Sequence, residues 1–103
     1  MNNNLYNIHR AQAIGTLLGY DEGLLRFVFH HREYDLRLSA EELILEAREL
    51  NEEEGLLVKI AVGLWCGDCK IKLQDIIDNL DDEKFRNVLH ALAYFREIQC
   101  SEF

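Results

Sequence analysis

The stretch 56-LLVKIAVGLWCGDC-69 contains the longest apolar run of the chain, and its conformation decides the fold. One set of its apolar residues has the spacing of a helix that is buried on nearly all sides: Leu56, Leu57, Ile60, Ala61, Leu64 and Trp65. A second set alternates as in a strand: Val58, Ile60, Val62 and Leu64. The chain contains no proline, which suits long helices and few rigid turns, and we therefore expect a helix here.

The segments before this tract also carry helical patterns. Residues 2–19 have an apolar stripe at three-and-four spacing, and Gly19 can adopt the left-handed conformation that closes a helix. The sequence Ser39-Ala40-Glu41-Glu42 is a capping box, in which serine and glutamate satisfy the first free amides of a helix. We expect that helix to run to about Asn51.

The segments after the tract complete a mainly α fold of four to five helices. Residues 71–78 fit a short helical turn, and Asp81 or Asp82 can cap a last helix. The apolar residues of that last helix recur at helical spacing: Phe85, Val88, Leu89, Leu92, Tyr94, Phe95 and Ile98.

Residues 24–38 fit two different structures. Apolar and polar side chains alternate on both sides of residues 31–33, which is typical of a β-hairpin. A helix that begins at Asp21 and places Leu24, Leu25 and Val28 on one face is the alternative. We predict the hairpin, at about 24–38, as an addition to the helical domain.

The composition is that of one soluble domain covering residues 1–103. Apolar residues make up 49% and charged residues 29% of the chain, and the formal net charge is −8, so a core can form without disulfides. All of that net charge lies in residues 41–103, and such a surface repels nucleic-acid phosphates. We expect no direct nucleic-acid binding, no membrane segment and, because no secretory signal begins the chain, a cytoplasmic protein.

Residues 65–70, Trp-Cys-Gly-Asp-Cys-Lys, raise the question of redox chemistry. Two cysteines at this spacing act as a dithiol when one sulfur lies at a helix N-terminus, which lowers its pKa. The stretch resembles the active-site segment of thioredoxin-like proteins, and the resemblance implies thiol–disulfide exchange by Cys66 and Cys69. The chain departs from that family because too few residues follow Cys69 to complete the fold and no proline can form its cis peptide bond. We therefore assign no catalytic residue.

A zinc site is the other chemistry that these cysteines could serve. One Cys-x-x-Cys pair supplies two of the four ligands of a structural zinc ion. His90 and Cys100 could supply the others, and His30 and His31 are further donors. The chain has no second cysteine pair at the standard spacing, so we expect no metal and no cofactor. In that case Cys66 belongs to the end of an apolar helix.

A wider resemblance covers residues 57–92. An aliphatic–aromatic pair at Leu64-Trp65 precedes a glycine turn at Gly67, an apolar–polar run at 71–77, a Leu80-Asp81 cap and a final helix. This order resembles small uncharacterised proteins that are carried on bacterial integrative conjugative elements, plasmids and prophages. The resemblance implies a mobile-element setting and no particular activity.

These observations favour a non-enzymatic protein-interaction module, an accessory protein of a mobile element. Its partner would be a protein, and a homodimer is the simplest form of such an interaction. Aromatic side chains are frequent interface anchors, and acidic side chains can complement a basic partner. The candidate partner-binding residues are Tyr6, Tyr20, Phe27, Phe29, Tyr34, Glu46, Glu49 and Glu53.

Two other functions remain open at the level of the sequence. Seven glutamates between positions 41 and 54 could imitate the charge of DNA and inhibit a nucleic-acid-binding defence protein. The second alternative is the thiol–disulfide oxidoreductase that uses Cys66 and Cys69.

Overall fold

A computed structural model describes the backbone of residues 2–30 and 35–101 and the side chains of residues 6–30 and 35–98. Within these ranges the chain forms six α-helices and one 3-10 helix, and no strand longer than a single bridge. The helices are α1 (Asn2–Leu17), α2 (Glu22–Val28), α3 (Ala40–Glu46), the 3-10 helix (Ala47–Glu49), α4 (Glu52–Cys66), α5 (Leu73–Asn79) and α6 (Asp82–Ser101). The mainly α fold class is thus confirmed.

The apolar tract forms α4, which occupies the centre of the molecule. It packs against α1, α2, α3, α5 and the 3-10 helix. Because helices cover it on several sides, most residues of both apolar sets in the tract are buried, and only Leu56 and Leu64 are half-buried. The strand-like alternation therefore does not indicate a strand. The buried residues of α4 are Gly55, Leu57, Val58, Ile60, Ala61, Val62, Gly63 and Trp65.

The pairing of α1 with α6 forms the other large part of the core. On α1 the buried apolar residues include Ala13, Ile14 and Leu17, which recur at helical spacing. One stripe of α6 is buried as well: Val88, Ala91, Phe95 and Ile98. No helix in the described ranges has both the length and the apolar composition that crossing a membrane requires.

Local capping signals fix several helix ends as predicted. The Ser39 hydroxyl accepts a hydrogen bond from the Glu42 amide (3.2 Å), so Ser39 caps α3 as predicted, and the hydroxyl donates to the Glu42 carboxylate (2.9 Å). Asp81 caps α6 by accepting a hydrogen bond from the Lys84 amide (2.8 Å). Gly19 has a φ of +64° beyond the end of α1, which is the predicted left-handed closure.

The structure corrects the prediction for residues 24–38. A helix, α2, covers the first part of this segment, because Asp21 caps it at the Leu24 amide (3.0 Å) and Leu24 and Val28 face the core. A single antiparallel bridge joins Phe29 to Leu36, and residues 31–34 lie outside the described residues. The predicted hairpin was therefore wrong for residues 24–28, and this additional helix explains why six α-helices form where four to five were expected.

α3 is also shorter than predicted. It ends at Glu46 and continues as the 3-10 helix to Glu49 instead of running to about Asn51. The reason lies in the next helix, because the Asn51 side chain accepts a hydrogen bond from the Glu54 amide (2.8 Å) and caps α4. A residue in the extended conformation of a helix N-cap cannot also continue the preceding helix.

Arg10 of α1 covers the single tryptophan, Trp65, at the end of α4. Its guanidinium carbon lies 4.3 Å from the centroid of the indole ring, and the guanidinium also donates a hydrogen bond to the Trp65 carbonyl oxygen. Phe29 meets the same ring edge-on, with 4.9 Å between ring centroids. Three elements distant in sequence therefore meet at one aromatic side chain.

We predict that Arg10→Ala lowers the free energy of unfolding by about 1–2 kcal/mol, since it removes both the cation–π contact and the hydrogen bond to a helix end. Arg10→Lys is the matched control, and it should cost less because it keeps the charge while losing the planar stack. Urea unfolding followed by Trp65 fluorescence measures both variants. Equal stability of the wild type and Arg10→Ala would contradict this role.

Candidate functional site

The Cys-x-x-Cys segment is the closing turn of α4. Gly67 follows the last helical residue with a φ of +74°, and its amide donates to the Leu64 carbonyl oxygen (3.3 Å). The Asp68 amide donates to the Gly63 carbonyl oxygen (2.9 Å). These two hydrogen bonds form a Schellman motif, a common way to satisfy the free carbonyls at a helix end.

This position gives neither cysteine the environment of a nucleophilic dithiol. Cys66 is the last residue of α4, so the free amides of that helix lie at its opposite end. Burial is the main cause that raises the pKa of the Cys69 thiol, and the charge of Asp68 raises it further, although a hydrogen bond from the Ile71 amide opposes both. Neither cysteine forms a disulfide, and both residues are exposed overall, although the surrounding chain partly covers the Cys69 thiol. The geometry supports no catalytic role for them.

Cys69 lies directly over Gly63, one helical turn before Cys66. A Cβ atom at Gly63 would lie 2.8 Å from the Cα atom, 2.9 Å from the Cβ atom and 3.0 Å from the Sγ atom of Cys69. Such distances are below van der Waals contact, so only glycine at position 63 lets the chain return this closely over the helix. The turn thus depends on two glycines for different reasons, namely space at Gly63 and the sign of φ at Gly67.

The returning chain forms one wall of a shallow groove with a volume of about 330 Å³. The opposite wall is α6. The lining residues are Gly63, Leu64, Gly67, Cys69, Leu92, Phe95 and Arg96. Leu64, Leu92 and Phe95 are its large apolar lining residues, and Arg96 is its charged one.

Four large apolar side chains on α5 and α6 are exposed to solvent. Leu73 is 75% and Ile77 is 59% exposed, and both lie on α5, which has no buried residue. Leu89 is 48% and Leu92 is 40% exposed on α6, and Leu92 also lines the groove. We call these four residues the exposed apolar set.

The residues considered for zinc do not form a site in the described part of the chain. No group of three or more histidine, cysteine, aspartate and glutamate side chains suited to a metal ion occurs there, so Cys66, Cys69 and His90 are not brought together. His90 is exposed on α6. The Cys100 side chain lies outside the described residues.

The aromatic residues predicted to bind a partner differ widely in exposure. Phe29 is buried against Trp65, which leaves it no surface to offer, and Tyr6 and Phe27 are half-buried beneath the guanidinium groups of Arg10 (5.2 Å) and Arg37 (5.1 Å). Tyr20 is exposed, and its ring lies over Gly15. Tyr34 lies outside the described residues.

Two of the three candidate glutamates have partners within the chain. Glu46 pairs with Arg37 (2.9 Å). Glu53 is half-buried, pairs with Lys84 (3.2 Å) and accepts a hydrogen bond from the Asp81 amide (2.9 Å), so it connects the first turns of α4 and α6. Glu49 is exposed on the 3-10 helix.

The cluster around Lys84 is held together by charge. The Lys84 amide and ammonium, in that order, lower the pKa of the Asp81 carboxyl, and the Asp81 and Glu53 carboxylates raise the pKa of the Lys84 ammonium. This cluster therefore has a structural function at the start of α6. Of the eight candidate partner-binding residues, only Tyr20 and Glu49 are both exposed and free of an ion pair among the described side chains.

Sequence reasoning missed the exposed apolar set, although a signal for it exists. Leu73 and Ile77 are four residues apart, which places them on one side of a short helix. The last helix carries more apolar residues than one stripe can use, because Leu89 and Leu92 lie beside the stripe that contains Val88 and Phe95. An apolar surplus of this kind indicates a surface available for binding.

Comparison with known proteins identified no relative. No protein-family model, no curated protein and no solved structure matches the chain. The exposed surfaces and the residues that line them are therefore the basis for a functional interpretation.

We predict that Cys69 reacts more slowly with iodoacetamide in the folded chain than in urea at pH 8, since a raised pKa leaves less thiolate at a given pH. The plot of rate against pH should shift to higher pH on folding. The measurement uses the Cys66→Ser/Cys100→Ser background, in which Cys69 is the only thiol. A faster reaction in the folded chain would contradict the absence of an activated thiol.

Gly63→Ala should destabilise the chain by about 1–3 kcal/mol, because the added methyl group cannot fit below Cys69, even though alanine favours a helix. It should also make Cys69 more reactive by lifting it from α4. Gly67→Asn is the matched control, since asparagine tolerates a positive φ and the space around Gly67 is open. Chemical unfolding and alkylation rates test both variants, and a neutral Gly63→Ala would rule out the close approach as a constraint.

Proposed function

We propose that the protein is a non-enzymatic interaction module that binds another protein chain through the exposed apolar set. The single observation that carries this proposal is that four of the six exposed large hydrophobic residues among the described side chains, Leu73, Ile77, Leu89 and Leu92, lie on α5 and α6. Each pair is three or four residues apart and so lies on one side of its helix, and exposed apolar patches commonly mark sites of protein association.

The form of α5 supports this proposal. It is a helix of seven residues with no buried side chain, joined to α6 by only two residues. A short helix gains little stability from its own hydrogen bonds, so tertiary packing normally determines whether it forms. A partner that covers Leu73 and Ile77 would supply packing that the chain itself does not provide.

The groove beside α6 adds a feature that an anchoring side chain could use. Leu92 and Phe95 line it, and Arg96 contributes the charged edge. Interface hot spots commonly consist of an apolar anchor in a pocket that is rimmed by polar groups. A volume of about 330 Å³ suits one or two side chains of a partner helix.

The setting that we propose is a bacterial mobile element. The resemblance over residues 57–92 supports it, and the structure gives those residues a structural interpretation, since Gly67 closes α4 and Asp81 caps α6. In that setting the chain is an accessory protein that acts by binding, and we propose the cytoplasm as its location.

Replacing Leu89 and Leu92 by glutamine tests the proposal, because glutamine keeps the helix propensity of α6 while removing the apolar surface. We expect capture of partner proteins from a bacterial lysate to fall at least about tenfold for this variant, as burial of two leucine side chains contributes several kcal/mol. The control is Leu45→Gln on α3, which removes a leucine elsewhere that is more exposed (59%) than Leu89 or Leu92.

Salt distinguishes this function from imitation of DNA. An apolar interface keeps its partners when the salt concentration rises, whereas an acidic mimic loses them. Capture that is abolished by salt, unchanged by Leu89→Gln/Leu92→Gln and lost in Glu41→Gln/Glu49→Gln would overturn the proposal in favour of the mimic. Capture that depends on Cys66 and Cys69 would favour the oxidoreductase.

A further inference from the structure

Three helices of this chain have the same length of seven residues, so the support that each receives can be compared directly: α2, α3 and α5. The Asp21 side chain caps α2, which buries two apolar residues. The Ser39 side chain caps α3, which buries Leu43. α5 has neither kind of support, because none of its residues is buried and Lys72, the residue before it, makes no side-chain cap.

The contacts that hold α5 against the rest of the chain are weak. Among the described residues its side-chain hydrogen bonds stay within the helix, from the Gln74 amide to the Asp78 carboxylate (2.9 Å) and from the Asn79 amide to the Asp75 carbonyl oxygen (2.9 Å). Ile76 is its only residue that is half-buried against the core, and the other six are exposed. A helix this short is not stable through its own hydrogen bonds, so its folding depends mainly on this one side chain.

The chain is fixed on both sides of α5 by contacts that do not involve it. Before α5, the Schellman turn at Gly67 closes α4. After α5, the Asp81 amide donates to the Glu53 carboxylate (2.9 Å), and the Asp81 carboxylate caps α6. Ile71 and Leu80, which flank α5, are half-buried and add to its attachment. The residues between the two fixed points can therefore unfold without breaking α4 or α6.

We infer that α5 unfolds and refolds locally while α1, α4 and α6 stay folded, and that a bound partner suppresses this unfolding. Segments with few buried apolar contacts are the ones that open before the rest of a protein. A partner that binds only the folded form of α5 lowers the population of the open form by mass action.

The consequence concerns the regulation of the exposed apolar set, and it rests on the proposed function. Leu89 and Leu92 form a permanent half of the set, because a buried stripe holds α6 in place. Leu73 and Ile77 form a conditional half, since they lie on one side only while α5 is helical. A partner that contacts both halves must offset the ordering of α5, which reduces its apparent affinity.

Hydrogen exchange of individual amides tests the inference on the full chain, without any partner. NMR measures the exchange at several urea concentrations below the unfolding transition. After correction for intrinsic rates, we expect residues 77–79 of α5 to open at least about tenfold more often than residues 88–95 of α6, since burial of one apolar side chain is worth about that factor. Residues 26–28, the last three of α2, are the control for helix length and should also be better protected than residues 77–79.

The urea dependence distinguishes local opening from global unfolding. Opening of α5 should hardly depend on urea, because it exposes little surface, whereas opening of α6 should increase steeply. Equal protection and equal urea dependence of α5 and α6 would overturn the inference.

Two conservative changes provide an independent test. Ile14→Val, at a fully buried position of α1, should speed the exchange of α6 about two- to tenfold and leave α5 unchanged, because the core is packed equally whether α5 is open or closed. Lys72→Ser supplies an acceptor before α5, where the backbone already has the extended conformation of an N-cap. It should slow the opening of α5 about two- to thirtyfold relative to Lys72→Ala, which removes the same charge without adding a cap. Acceleration of residues 77–79 by Ile14→Val would show that α5 unfolds only with the core and would overturn the inference.

The two proposals can fail separately. If α5 and α6 exchange together while Leu89→Gln/Leu92→Gln loses its partners, the interaction function stands and α5 is a fixed part of the surface. If α5 opens alone while Leu89→Gln/Leu92→Gln keeps all partners, the local unfolding stands and the interaction function fails.

Discussion

The burial of α4 on several sides is the constraint on which the rest of the structure depends. A helix that is apolar nearly all round is stable in water only when other elements cover it. In this chain α1, α2, α3 and α5 provide that cover, together with the 3-10 helix. The same requirement extends to the end of the helix, where Arg10 and Phe29 enclose Trp65 from two sides.

The close return of the chain after α4 follows from this arrangement. The Schellman turn at Gly67 ends the helix, satisfies its last carbonyl groups and brings Cys69 back over Gly63. This turn explains a cysteine spacing that resembles a redox motif. In proteins that exchange disulfides, a helix begins at the reactive sulfur, and the amides of its first turn stabilise the thiolate. Here the helix ends at Cys66, so the free amides of α4 lie at its opposite end.

The surface on α5 and α6 is the consequence of a core that is already complete without it. α6 uses one stripe to pack on α1, and α5 adds few contacts to α4, so Leu73, Ile77, Leu89 and Leu92 have no internal partner to cover them. Charged residues of both signs lie near them in the sequence, among them Lys72, Asp78, Arg86 and Arg96. Such a pattern suits recognition, because charge specifies the partner and apolar burial supplies affinity.

Local sequence determined the helices and most of their ends. The capping box at Ser39, the aspartate that caps α6 and the glycines that close α1 and α4 act through hydrogen bonds within a few residues, so their effects can be read from the sequence. The same reasoning failed at residues 24–28, where alternation and helical spacing were both present. Burial of Leu24 and Val28 against the core decided between them, and that burial is not a local property.

Only the tertiary structure decided which side chains are available for function. Phe29 and Tyr20 are both aromatic residues in short segments, yet Phe29 packs against Trp65 and Tyr20 remains in solvent. The difference arises from contacts with residues far away in the chain, which no spacing rule contains. The sequence by itself therefore specified a helical domain with a Cys-x-x-Cys turn. The three-dimensional packing then showed that Cys69 covers Gly63 and that α5 and α6 carry exposed apolar residues, because both depend on contacts between distant parts of the chain.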